Sequence, residues 1–186
     1  VGCVRPVVWG WGRIELGWRL PNIDGGWEVT WGAVGMGGGR AVWLTGRGSN
    51  VIACDRDANG RASLASECAG LHTVTADFAH PDGRSVLVAC IAGPAHIDGV
   101  VNCAGIGVRG AITDVAVENQ RALLEVNVVA LAEFSAYALR RFSAPPECAT
   151  FGNMASTAAF HPLPLMCAQE SSKSYTPSFS ESEHAY

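Results

Sequence analysis

A chain of 186 residues, 48% of them hydrophobic, can bury the core of one domain with room for an appendage, which argues against general disorder. Its net charge of −4 leaves no extended basic surface for neutralising phosphates, so nucleic acid is a poor partner. The five histidines and seven cysteines are scattered without metal-ligand spacing. No metal site is expected, and the cysteines are read as reduced, buried and cytoplasmic.

Residues 1–26 show neither helical nor strand periodicity and are treated as an N-terminal extension of unknown structure. No basic end followed by an unbroken apolar run opens the chain, so no targeting segment is expected. The longest charge-free runs contain Gly, Pro, Asn or His, which argues against a membrane-spanning helix. The domain proper is placed at 27–186. There "WEVTW" reads as a strand, a glycine cluster follows, "RAVWLTGR" as a short helix and "NVIACD" as a second strand. "ANGRASLASECAG" has helical composition with a stop at Gly70, "LHTVTAD" is a strand, and "PDGRSVLVACIAG" is a turn leading into a helix. "IDGVVNCAG" is an apolar strand, a long helix is expected from about Val117 to Phe142, and "CATFGNMAS" is the next strand. A last helix begins near Ala168, with Pro177 expected to break or kink it.

Strands separated by helices of this length predict an α/β fold, a doubly wound parallel sheet of Rossmann-like type, because parallel neighbours need crossovers. Ligands of such sheets sit beyond the carboxyl ends of the strands. Glycines at 32, 35 and 37 follow the first strand and open a helix, where backbone N–H groups can approach a pyrophosphate. Asp55 follows Gly35 by 20 residues, the separation at which a carboxylate accepts hydrogen bonds from a ribose. That carboxylate repels a 2′-phosphate and favours NAD over NADP, although the adjacent Arg56 could accommodate one.

With these residues the sequence resembles the short-chain dehydrogenase/reductase family, over roughly residues 27–186. Asp77 and Phe78 look like the family segment flanking adenine. "NCAG", Asn102 to Gly105 with Ala104 between, looks like the NNAG signature with Cys103 in place of the second Asn. The family carries a catalytic tetrad of Asn, Ser, Tyr and Lys, and Asn127, Ser156 and Lys173, the chain's only lysine, match three of its places. Gln169, thirteen residues after Ser156 and four before Lys173, stands where the tyrosine belongs.

The resemblance implies an NAD-dependent oxidoreductase of a small-molecule alcohol or ketone, with Lys173 holding the nicotinamide ribose and standing where the family's lysine lowers the pKa of the tyrosine that this chain replaces by Gln169. A primary amide gives up no proton near neutral pH, so impaired turnover is expected. A non-catalytic nucleotide-binding or interaction module, or a truncated inactive product, is the alternative. Family members continue through two further strands, so the sheet is expected to be incomplete on its C-terminal side and to expose an edge. A homo-oligomer is implied by resemblance alone.

Overall fold

A computed structural model describes residues 5–9, 26–30, 35–93, 97–142 and 150–184. Among the described residues, six strands form one sheet: β1 (Arg5–Trp9), β2 (Gly26–Thr30), β3 (Asn50–Asp55), β4 (Leu71–Thr75), β5 (Gly99–Asn102) and β6 (Thr150–Met154). Their spatial order is β1-β6-β5-β2-β3-β4 and every pairing is parallel. The chain runs outward from β2 through β3 to β4, then crosses back to lay β5 on the other side of β2. That reversal makes the gap between the carboxyl ends of β2 and β5 the place where a ligand can enter.

The helices are α1 (Gly35–Thr45), α2 (Ala58–Glu67), α3 (Pro81–Ala92), α4 (Val117–Leu124), α5 (Leu131–Phe142) and α6 (Cys167–His184). Asp57 caps α2 by accepting the Asn59 N–H at 3.1 Å, and Pro81 opens α3, where a missing N–H costs nothing. Alternate strand residues feed two cores. On one face Val100 and Phe151 meet Leu87, Ile91, Phe134 and Phe142 of α3 and α5. On the other, Val51, Ala53, Val101 and Met154 meet Ala41 and Leu44 of α1 and Leu64 of α2.

Sequence expectations change at several places. The first helix begins at Gly35, inside the glycine cluster, rather than at Arg40, because positive φ at Gly35 (+60°) turns the chain directly into it. The last helix runs through Pro177 to His184, since one proline removes a single backbone bond, the one to the Lys173 carbonyl, while the flanking turns persist. Within the nominal extension, Arg5–Trp9 pairs with β6, so β6 is not the open edge anticipated for it. A two-stranded parallel ladder is set by the neighbour's register, which no local periodicity reveals.

α4 and α5 are joined by a π-helical segment, Glu125–Ala130, into one helix from Val117 to Phe142. By length and composition that helix could cross a membrane, contrary to the expectation. However, its apolar side chains Val126, Ala130, Phe134, Ala138 and Phe142 are buried in the protein core.

Candidate functional site

At the carboxyl edge of β3, Asp55 is 2% exposed and accepts the Asp57 N–H at 2.9 Å. Arg56 points outward, its Nη1 3.8 Å from Asp77 Oδ2, and Asp77 also accepts the Ala79 N–H at 3.0 Å. Asp55, Arg56, Asp77 and Phe78 line a cleft whose other wall is Ala104, Ile106 and Val126. The Phe78 ring reaches into the core, 4.9 Å edge-to-face from Phe134, and so supports the cleft from below. The Phe78 carbonyl is held at 3.0 Å by Arg84, a buried guanidinium that also meets Glu125 at 2.9 Å and Glu133 at 3.0 Å. One cation thus ties the wall of the cleft to the long helix.

Gly35 and Gly37 lie in the first turn of α1, where N–H groups have no partner within the helix. Gly32 falls outside the described residues. Asn102 is buried below the edge and donates sideways to Asn153 Oδ1 at 3.0 Å, while its own Oδ1 has no partner. That bond links β5 to β6 at the edge of the sheet.

Farther along the edge, three chain segments converge. Asn127, 1% exposed, sits on the π-helical segment. Its Oδ1 accepts the Ile106 N–H at 2.8 Å, and its Nδ2 donates to the Ile106 carbonyl and to Ser172 Oγ, both at 2.9 Å. Ser172 in turn donates to the Gln169 carbonyl at 2.7 Å. The widened π turn is the kind of local irregularity that re-aims a side chain, and here the Asn127 amide closes on the loop after β5.

Lys173 extends under that loop. Its Nζ lies 3.4 Å from the Met154 carbonyl, and a Cβ on Gly105 would come within 2.7 Å of it. Gln169 lies over Gly107, where a Cβ would be 2.5 Å from Oε1 and 3.0 Å from Nε2. Ser156 follows the end of β6 by two residues and caps a short 3-10 turn, its Oγ accepting the Ala158 N–H at 3.2 Å; Ser174 Oγ anchors that turn to α6 through the Ala159 carbonyl at 3.0 Å. The loop from this turn to α6 includes Leu165 at φ +68°, whose carbonyl accepts the Gly110 N–H at 2.8 Å.

Electrostatics follow burial. Burial lowers the Lys173 ammonium below its usual value, and a Cys103 thiolate would push it back up. Burial drives the Cys103 thiol up to about 11, against the pull of Arg40 and Lys173, so it is a neutral thiol near pH 7. Burial likewise brings Arg40 down to about 10, which leaves it charged. Of this group sequence reasoning named Gly105, Asn127, Ser156, Gln169 and Lys173, but missed Ile106, Gly107, Met154 and Ser172 as their partners. The glycine spacing in "AGIGVRG" was the one available hint of close approach.

Residues 28–185 match the family profile described as short chain dehydrogenase. The chain belongs to the short-chain dehydrogenase/reductase family. Among solved structures it is similar to a short chain dehydrogenase/reductase family protein (25% identity, TM-score 0.78, covering 86% of this chain and 67% of that one). It shares the fold of the bulky-bulky ketone specific alcohol dehydrogenase from Comamonas testosteroni (21%, TM-score 0.80, 84% and 65%). It also shares the fold of a short-chain dehydrogenase from Sphingobium yanoikuyae in complex with NADPH (22%, TM-score 0.78, 84% and 63%). The chain spans about two thirds of the length of these structures. No curated protein matches it by sequence.

The residues of this family member fit a dinucleotide. The cleft beside Asp55 joins apolar side chains to the Asp55 and Asp77 carboxylates, the first turn of α1 offers N–H groups that have no partner inside the helix, and Gly105 leaves open the space that a Cβ would take from the Lys173 amine.

Proposed function

We propose that this chain is a nicotinamide-dependent oxidoreductase of an alcohol or ketone, preferring NAD, whose proton transfer is impaired at Gln169. One observation supports the reading most: a connected run of contacts, Ile106–Asn127–Ser172–Gln169, with Lys173 directly after Ser172 and its Nζ 3.4 Å from the Met154 carbonyl, brings Asn127, Gln169 and Lys173 to one sheet edge.

A bound nicotinamide would supply or accept the hydride. The chain's own groups would do the rest. Lys173 has three N–H donors and one long contact, so two remain for ribose hydroxyls. Ser156 Oγ accepts from Ala158, which leaves its proton to donate to a substrate oxygen. Gln169 can hold the same oxygen through Nε2 but cannot release a proton to it. General acid–base catalysis contributes roughly 10²- to 10⁴-fold, so turnover should fall by that order while cofactor binding persists.

Asp55 at the end of β3 disfavours a 2′-phosphate, and Arg56 is turned toward Asp77, which supports NAD. The solved relatives that hold NADPH or NADP⁺ make this preference a point to measure. The test is titration with NADH and NADPH, followed by dehydrogenase assays of the unaltered chain and Gln169→Tyr over an alcohol and ketone panel. Tighter NADH binding and a gain of activity in the variant are expected. A folded variant that binds NADH with no gain would overturn the catalytic reading and leave the second one, a nucleotide-binding module, which Gln169 itself favours.

A further inference from the structure

β1 precedes β2 in sequence but enters the sheet far from it. It lies outside β6 and parallel to it, with Arg5 opposite Thr150 and Trp9 opposite Met154. Its last residue therefore stands level with Met154, the residue whose carbonyl meets Lys173 at 3.4 Å, and two residues before Ser156. α6, which carries Gln169 and Lys173, packs across both β1 and β6.

The face that α6 buries is hydroxylated. Ser172, Thr176 and Ser180 are each at most 1% exposed, and Ser180 accepts the Asn153 amide at 2.9 Å. Hydroxyls bring little apolar burial, so the seat of this helix depends on the strands beneath it staying fixed. Without β1, β6 would present an open row of backbone groups to water.

We infer that Arg5–Trp9 is a positioning strand: by pairing with β6 it fixes Met154 and Ser156, and through α6 it sets Lys173. Its role in ligand binding rests on reading this edge as the cofactor site. The pairing has a parity. In a strand, the N–H and C=O of one residue point to the same side, and successive residues alternate. Pro6 has no N–H, and proline is confined to the free side of an edge strand. Arg5, Val7 and Trp9 therefore face β6, while Pro6 and Val8 face away.

The same substitution on the two sides tests this. Val7→Pro removes a ladder bond and should raise amide exchange in β6 and α6, leaving β3 and β4 protected; Val8→Pro should change neither. NAD affinity should fall about three- to tenfold in Val7→Pro, the worth of one backbone bond. ADP, which ends before the nicotinamide-side ribose that Lys173 would hold, should bind as before. Val7→Ile keeps the N–H and should behave as the unaltered chain. Equal effects of the two prolines, or a uniform loss of protection and of both affinities, would overturn the inference.

If Val7→Pro does not fold, exchange in the unaltered chain decides: Val7 and Trp9 amides as protected as β6 support the strand, and fast exchange there sinks it. Should the unaltered chain bind neither nucleotide, the cofactor reading fails, and the exchange pattern still judges the strand by itself.

Discussion

The Lys173 amine occupies the space that a side chain on Gly105 would need, with an ideal Cβ there only 2.7 Å from Nζ and 3.3 Å from Cε. The lysine's far end is flexible, so Gly105→Ala displaces the amine rather than breaking the fold. The expected outcome is a loss of stability of no more than about 1–2 kcal/mol, with NADH affinity reduced about tenfold as a charge-assisted hydrogen bond is lost. Fluorescence titration and denaturant unfolding measure the two separately. A variant destabilised severely with unchanged affinity would show that Gly105 serves packing alone.

Asn127 should be costlier to remove than either of its partners. Asn127→Ala leaves the Ile106 N–H and carbonyl without this partner in a part-buried place and takes from Ser172 Oγ the bond it accepts, while its bond to the Gln169 carbonyl stays, at about 1–3 kcal/mol for each orphaned group before relaxation. Ser172→Ala orphans one Asn127 donor and should cost on the order of 1 kcal/mol. Equilibrium unfolding checks the ranking. If the two variants lose equal stability, the loop after β5 is held by something other than this amide.

The Cys103 thiol gives a pH signature of definite sign. Its folded value, about 11, lies above the ordinary 9.0, so between those values the unfolded chain has lost a proton that the folded chain keeps. Stability contributed by the neutral thiol is therefore complete below pH 9 and declines as pH rises toward 11, by on the order of 2 kcal/mol in all. Lys173 acts oppositely: with its folded value depressed, stability rises with pH up to the ordinary 10.5. Cys103→Ala should lose stability at neutral pH from the cavity it leaves, yet show no decline of thiol origin above pH 9. Urea midpoints at pH 8 and pH 10.5 test this, and parallel declines in both proteins would rule it out.

How much of this was legible beforehand follows the physics of each feature. Strands such as "NVIACD" and the long helix through Asn127 announce themselves by apolar runs and length, and the parallel sheet follows from their alternation. The positions of Asp55, Ser156 and Lys173 came from spacing and likeness to a known pattern. What stayed hidden depends on tertiary register. β1 has no periodicity of its own and is defined by its pairing to β6. The π turn at Glu125–Ala130 carries Asn127 to its bond with Ile106, 21 residues away, and no local propensity announces either. Ser172 looks like an ordinary helical serine until Asn127 is placed against it.

The pairing of Gly107 with Gln169 offers the most direct probe of position 169. The carboxamide rests on the bare Cα: a methyl at 107 would lie 2.5 Å from Oε1, 2.9 Å from Cδ and 3.0 Å from Nε2. In the present chain Gly107→Ala should push the amide aside at little cost in stability, because the end of a glutamine side chain can rotate away. NADH binding should change less than about twofold, since a surface-side rearrangement of this kind stays within about 0.5 kcal/mol. In a Gln169→Tyr background the same methyl meets a rigid ring, which has no comparable retreat. There Gly107→Ala should remove most of any activity gained, by about tenfold or more, and the two substitutions should be coupled by at least about 1 kcal/mol. The four proteins of the cycle are compared by turnover, and by unfolding free energy where turnover is too low to read. Additive effects would mean that the side chain at 169 has left Gly107 once it becomes aromatic, and that the site does not hold a tyrosine where proton transfer needs one.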